Sequence, residues 1–153
     1  MKKMTTWQCL PFADLNTQQL YDLLALRQEI FVVEQVCPYL DADGKDLKSW
    51  HVLGYQDNDL VAYTRILPRG VSYKDAVSIG RVATSQKVRR KGLGKELTKI
   101  TLDWTEKLFP SQRIRISAQT YLIKFYQAFD FQVLGEEYLE DDIPHIQMVI
   151  EGE

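Results

Sequence analysis

VSIGRVATSQKVRRKGLGKELTKITLDWTEKLF, residues 77–109, decides how the rest of the chain is read. Val77 to Thr84 is a β-branched run with the character of a strand. A basic turn, Ser85 to Lys91, carries the chain into Gly92-Leu93-Gly94. From there Leu93, Leu97, Ile100, Trp104 and Leu108 recur every three or four residues, the apolar stripe of an amphipathic helix, and Pro110 stops it. The entry of such a helix presents unpaired backbone N–H groups and the positive end of the helix dipole, and the two glycines let a ligand come close. The pattern therefore predicts an anion site. Arg89, Arg90 and Lys91 suit a ligand with more than one phosphate, because each phosphate takes a charge-assisted hydrogen bond. The competing reading is a solvated basic turn capped by flexible glycines, and the strand before it and helix after it weigh against that.

At 153 residues the chain is expected to form one domain, residues 1–153, large enough to bury a core without disulfides or metal. A net charge of −2 gives no global pull towards nucleic acid or anionic membrane, so the basic turn is a local feature. One turn also makes too few phosphate contacts for nucleic-acid binding. No apolar run approaches the ~20 residues that span a bilayer. The first residues, MKKMTTWQCLPF, lack the apolar region of a signal peptide, so the expected location is cytoplasmic. Cys9 and Cys37 show no metal spacing and read as small buried hydrophobes. Asp41-Ala-Asp43-Gly44 lacks the spaced ligands and closing Glu of a calcium loop, so no metal is expected.

Along the chain, Thr5 to Leu10 reads as a first strand. Asn16 or Thr17 caps a helix whose face is traced by Leu20, Leu23, Leu24, Arg27, Ile30 and Phe31. Arg27 interrupts that apolar face and is expected to snorkel or pair with a carboxylate. Phe31 to Asp46 has neither period and reads as a loop segment that allows short helical turns, and its carboxylates are candidates for meeting a cationic substrate. Trp50–Gln56 and Leu60–Leu67 form a hairpin about Asp57-Asn58-Asp59, and the Val77 strand is the third member of that run. After the long helix come a strand, Arg113 to Gln119, a short helix, Tyr121 to Phe129, and a last antiparallel pair, Phe131–Tyr138 and His145–Ile150. The order predicts an α/β (α+β) fold: a mixed, mostly antiparallel sheet of about seven strands with helices on both faces.

Arg89-x-x-Gly92-x-Gly94 at a strand-turn-helix, followed by a strand and Phe125-Tyr126-x-x-Phe129-x-Phe131, resembles the GNAT superfamily of N-acetyltransferases along nearly the whole chain. Phe31-Val32-Val33-Glu34-Gln35, Asp41-x-Asp43-Gly44, Ile79-Gly80-Arg81-Val82 and Ile143-Pro144-His145-Ile146 are similar to the ElaA-like branch of it. The resemblance implies acetyl-CoA as donor. It places the pyrophosphate on the amides of Arg89, Arg90, Lys91, Gly92, Leu93 and Gly94, and the pantetheine arm along Ile79 to Thr84. An amide near Val82 or Ala83 then meets the thioester carbonyl as an oxyanion donor, with Thr84 at the end of the same strand. Tyr126 matches the general acid for the departing thiolate. Two positions depart from the pattern: Asp130 stands where a glycine is usual, and Lys124 stands where an asparagine is common, which would bring a cation towards a CoA phosphate.

The chemistry sets its own demands. A phenol of pKa near 10 protonating a thiolate whose thiol is near 8.5 works uphill by roughly 2 kcal/mol, and thiolates leave readily without help. The acceptor must be an uncharged amine. A lysine-like amine is less than ~0.1% neutral at pH 7 and an α-amine roughly a tenth, so a base matters most for the former. Candidates are Glu34, Asp43, His51 and His145, of which His145 has the most suitable type of side chain; the alternative for His145 is a strand-end histidine satisfied by a backbone carbonyl.

The expected function is acetyl transfer from acetyl-CoA to a primary amine of a small molecule or peptide. Two other readings stay open. Arg27, Phe31, Asp43, Asp46 and Arg65 also resemble the scattered Arg, Phe, Asp and Arg of acyl-homoserine-lactone synthases, and a CoA-binding sensor without turnover would share the same turn. Open strand edges allow a homodimer, and no stretch compels one.

Overall fold

The protein is described here by a computed structural model covering residues 3–153. Seven strands and three α-helices alternate much as the patterns predict. The first strand, β1 (Thr6–Pro11), leads to α1 (Thr17–Arg27). Asn16 caps this helix: its side chain accepts from Gln19 N at 2.7 Å while the Gln19 side chain accepts from Asn16 N at 2.9 Å, a reciprocal box that satisfies two orphan donors. The helix continues past Arg27 as a wider π-helical coil, Gln28–Glu34, so the start of the segment that allows short helical turns is itself helical. Next come β2 (Trp50–Gln56), β3 (Asp59–Leu67), β4 (Ser78–Thr84) and the long helix α2 (Leu93–Leu108). The chain closes with β5 (Ile114–Gln119), the short α3 (Ile123–Gln127), β6 (Gln132–Glu140) and β7 (Ile143–Ile150).

The last hairpin is tighter than its sequence suggests. The stretch 139–144 reads as an acidic turn, yet the strands run on through Glu140 and Ile143, with Pro144 paired to Leu139. Only Asp141 and Asp142 form the turn, both at positive φ (51° and 62°), the two-residue geometry that matches strand twist. Asp tolerates this conformation better than most residues because its short side chain can bond locally.

The strands form two antiparallel sheets, ordered β1-β2-β3-β4 and β5-β7-β6. They meet where β4 and β5 start side by side in parallel: Val77 N donates to Arg113 O at 2.9 Å and Arg115 N donates to Val77 O at 2.8 Å. Beyond this bridge the two strands belong to separate sheets, and a cleft opens between them.

Helices cover both faces of the first sheet. Successive strand residues point to opposite faces, so Val52 and Ala62 join Leu93 and Leu97 of α2, while their neighbours Leu53 and Tyr63 join Leu23 and Leu26 of α1. A third cluster gathers Tyr126 of α3 with Phe131, Ile114, Ile116, Ala118, Ile146 and Met148 beside the second sheet. Tyr126 meets Phe131 edge-on at 5.7 Å. Asp130, where a glycine is usual, sits at φ 73° and donates its N–H to Gln127 O at 3.0 Å, so the reversal after α3 survives the departure.

Candidate active site

The turn between β4 and α2 has the geometry of an anion cradle. Arg90 and Gly92 both take positive φ (66° and 79°), and Gly92 is the N-cap of α2 with no side chain closing the helix entry. Its first N–H groups are therefore offered outward. A Cβ built on Gly92 or Gly94 meets no protein atom within 4 Å, so these glycines leave room for a ligand above the helix entry. This donor set fits a pyrophosphate. Arg90 and Lys91 are exposed, whereas Arg89 is pinned: Nη1 donates to Glu34 Oε2 at 2.7 Å and Nη2 to Thr84 O at 3.1 Å. Lys124 lies exposed on α3.

The cleft between β4 and β5 has a volume of about 600 Å³ and is lined by Ile79 to Val82, Ile116 to Gln119, Tyr126 and His145, and by Phe31, Cys37 and Tyr39 of the segment after α1. Cys37 is thus half-buried at the cleft rather than packed in the core, while Cys9 is buried and its thiol pKa pushed up to about 12 by desolvation. In β4 the pairing with β3 slips: Tyr63 faces Ala83 and Arg65 faces Gly80, so Arg81 and Val82 together oppose Thr64. Arg81 takes φ 53°, and Thr64 Oγ1 donates to Gly80 O at 2.8 Å across the irregularity. Such a bulge leaves its extra residue outside the ladder, and both Arg81 and Val82 line the cleft.

Three arginines and three aspartates lock the segment after α1 against this bulge. Arg27 is fully buried; its Nε donates to Asp41 Oδ2 and its Nη1 to Asp46 Oδ1, both at 2.8 Å. Arg65 grips Asp43 with both Nη groups (2.9 and 2.6 Å) and reaches Asp46 at 2.8 Å. Arg81 pairs with Asp41 at 2.8 Å and with Asp43 at 3.4 Å, its guanidinium 5.4 Å from the Tyr39 ring centre. Burial would raise the pKa values of Asp43 and Asp46, but the Arg65 and Arg27 guanidiniums hold both below the usual carboxylate range. The expectation that this acidic loop greets a cationic substrate is corrected here: its carboxylates are consumed by arginines, because buried charges are stable only when paired. The same pairing takes up Arg27, Asp43, Asp46 and Arg65, the residues that suggested a lactone-synthase chemistry.

The candidate acid-base groups fall in different places. Tyr126 lines the cleft and is 9% exposed, and its hydroxyl has no hydrogen-bond partner among the described residues; burial pushes its pKa up to about 12, which keeps the hydroxyl protonated. His145 also lines the cleft. Its Nδ1 lies 2.7 Å from Ile143 O, and a carbonyl only accepts, so Nδ1 carries a proton, while Nε2 lies 3.3 Å from Glu140 Oε2. The backbone-satisfied alternative for His145 is thus realised at Nδ1, and Nε2 faces the Glu140 carboxylate. Glu34 is a different case. It does not line this cleft; its carboxylate accepts from Arg89 and Gln86, and the Arg89 hydrogen bond lowers its pKa, which weakens it as a base. His51 is fully buried between Tyr63 OH (2.7 Å) and Asp46 O (2.9 Å), and desolvation lowers its pKa, so it is a core residue.

Sequence reading missed Glu140 beside His145 and Arg81 at the bulge. Glu140 looks like one acid among several in a turn, and nothing local marks an arginine at positive φ.

An uncapped helix entry, a bulged strand and a cleft between splayed parallel strands define an acyltransferase fold and site. The chain belongs to the GNAT family: residues 27–152 match the acetyltransferase (GNAT) domain. It is 43% identical to Protein ElaA of Escherichia coli over 97% of each chain, and superposes on the crystal structure of E. coli ElaA with a TM-score of 0.91 over 97% of this chain and 100% of that one. An acyl-CoA N-acyltransferase from Pseudomonas aeruginosa, 42% identical, matches with a TM-score of 0.92 over 95% and 99% of the two chains. The acyl-homoserine-lactone synthase LasI shares the fold alone, at 15% identity and a TM-score of 0.79 over 98% and 91%.

Proposed function

We propose that the protein is an N-acetyltransferase that moves the acetyl group of acetyl-CoA to a primary amine by direct attack on the thioester. The observation that carries this reading is one cleft bringing together the Arg81–Val82 bulge, Tyr126 and His145. Arg89 to Gly94 hold the pyrophosphate through backbone amides, with Arg90 and Lys91 adding charge, and Val82, Ala83 and Thr84 flank the pantetheine arm. Lys124 supplies a further cation towards a phosphate.

The amine nitrogen attacks the carbonyl carbon, and the negative charge on its oxygen is met by bulge backbone at Val82. A C–N bond forms and the C–S bond breaks. The proton lost by the amine goes to Nε2 of His145, where the Glu140 carboxylate stabilises the imidazolium, and the thiolate takes a proton or a hydrogen bond from Tyr126. Glu34 acts by holding Arg89 rather than as a base.

Thermal unfolding with and without acetyl-CoA tests the donor half. A donor at 100 times its dissociation constant stabilises the fold by about 2.7 kcal/mol. If saturating acetyl-CoA leaves the melting temperature unmoved while a known acetyltransferase responds in the same assay, the reading fails. A panel of amines, read by CoA release, tests the acceptor half. Binding without release for any amine would point instead to a CoA-binding sensor, and binding of S-adenosylmethionine in place of acetyl-CoA to the lactone-synthase chemistry.

A further inference from the structure

Three lysine and arginine side chains line the cleft: Lys45, Arg65 and Arg81. Arg65 is held by Asp43 and Asp46, and Arg81 by Asp41 and Asp43. Lys45 differs from both. It is half-buried, pairs with no carboxylate among the described residues, and its Nζ donates to Ser72 Oγ at 3.2 Å. An ammonium has three N–H groups, so two are left for a ligand. The backbone that carries it is fixed on both sides, since Lys45 N donates to Asp43 Oδ1 at 3.1 Å and Ser49 Oγ donates to Lys45 O at 2.7 Å. A cation held in place at a cleft without a counter-charge invites an anion.

This anion is not the CoA pyrophosphate. The helix entry at Arg89 to Gly94 lies beyond the end of β4, whereas Ser72 and Tyr73 precede that strand, and the Tyr73 ring centre is 4.6 Å from the guanidinium of Arg115, the residue next to the Val77–Ile114 bridge. Lys45 thus marks the closed end of the cleft. Since β4 and β5 run parallel from the bridge, five residues on Val82 and Gln119 reach similar heights, and Gln119 pairs with His145. The opposite sign prevails there. Glu140, 3.3 Å from His145, and Asp141 both line the cleft. Four residues of strand separate Arg115 from Gln119, about 13 Å. A hydrogen bond of about 3 Å at each end leaves roughly 7 Å for the ligand itself.

We infer that the acceptor is an ω-amino acid, bound with its amine at His145 and its carboxylate at Lys45 and Ser72, about five methylenes apart. The inference rests on the acetyltransferase reading above. One lysine and one hydroxyl suit a monoanionic carboxylate, whereas a phosphate calls for arginine or several donors. Ser72 Oγ accepts from Lys45 and keeps its own proton to donate. Glu140 and Asp141 favour the ammonium end at His145. An α-amino acid, with one carbon between its charges, is too short to reach both ends.

The test is the rate of CoA release from acetyl-CoA with 6-aminohexanoate, its neutral amide 6-aminohexanamide, and glycine. The acid is expected to show a KM at least about tenfold below that of the amide, with kcat within about threefold, because the amide forfeits a hydrogen bond between two charged groups. Glycine is expected to be at least about tenfold poorer than the acid in kcat/KM. Lys45→Met is expected to bring acid and amide to within about threefold of each other, whereas Lys45→Arg keeps the preference. Lys45→Gln, which retains a donor to Ser72 without the charge, repeats the test should Lys45→Met not fold. Equal KM for acid and amide, glycine as good as the acid, turnover only of amines outside this set, or a neutral Lys45 variant that shifts acid and amide alike overturns the proposal while acetyl transfer stands. No CoA release with any amine sinks both.

Discussion

Arg81 Nε lies 2.8 Å from Asp41 Oδ1, and this ion pair ties the bulge in β4 to the segment that follows α1. The pair holds a non-glycine residue at φ 53°, a conformation that costs energy unless its surroundings over-determine it. Arg81→Ala removes the tie. A misplaced oxyanion donor predicts a fall in kcat of about 10–100-fold with the dissociation constant of acetyl-CoA nearly unchanged. Arg81→Gly, which is free at positive φ, is expected to recover stability but not rate. A raised KM at unchanged kcat would count against the assignment.

Asp46 accepts from both Arg27 and Arg65 and is 8% exposed. Asp46→Ala takes one of two carboxylate partners from each of two buried guanidiniums, which keep Asp41 and Asp43, and is expected to cost about 2–3 kcal/mol in urea unfolding. Asp103→Ala breaks the exposed Lys99 pair on α2 and is expected to cost no more than about 0.5 kcal/mol. Similar losses for the two would refute the special weight given to the buried network.

Acid should act on the same network. The Arg65 and Arg27 guanidiniums overcome the cost of burial and hold Asp43 and Asp46 below their unfolded pKa of about 3.9. A carboxylate whose pKa is depressed by folding contributes stability above its unfolded pKa and loses it as pH falls towards the folded value. Stability is therefore expected to fall in two stages: first below about pH 6.5, because burial holds His51 neutral while the unfolded chain takes up its proton, and again below about pH 4, where Asp43 and Asp46 lose their contribution. A single drop centred near pH 6, with no further loss below pH 4, would remove the carboxylates from the account.

Glu34→Gln separates two roles for one residue. As the partner of Arg89 it places a negative charge beside the anion cradle, so its removal is expected to tighten acetyl-CoA binding by about two- to fivefold, with kcat within about threefold of wild type. A catalytic base would instead lose about 10²–10⁴ in rate. Titration and steady-state kinetics on the same preparation distinguish them.

With its pKa pushed up to about 12, Tyr126 is mismatched to a leaving thiol by roughly 5 kcal/mol for full proton transfer, so its hydroxyl works chiefly by donating a hydrogen bond. Tyr126→Phe is expected to lower kcat by about 10²-fold at most. Because the hydroxyl stays protonated up to about pH 12, the ratio of wild-type to variant rate should be constant from pH 7 to 10. A ratio that falls between pH 8 and 10 would mean a far more acidic phenol.

The anion cradle, the two helical faces and nearly every strand were legible in the sequence because each depends on local spacing: an apolar stripe every three to four residues, alternation in strands, and glycines where backbone must be exposed. Tyr126 and His145 stood out through their short motifs, and the structure brings them to one cleft. What the sequence did not carry is the pairing of charges distant along the chain. Arg27, Arg65 and Arg81 lie 14 to 40 residues from the aspartates and carbonyl oxygens they hold, and only folding decides that these carboxylates brace the bulge instead of facing a substrate. Glu34 met Arg89 across 55 positions for the same reason. Local pattern fixed the elements and the glycine-led helix entry; the long-range electrostatics of burial, which demand a partner for every charge taken from water, decided which polar residues remain unpaired.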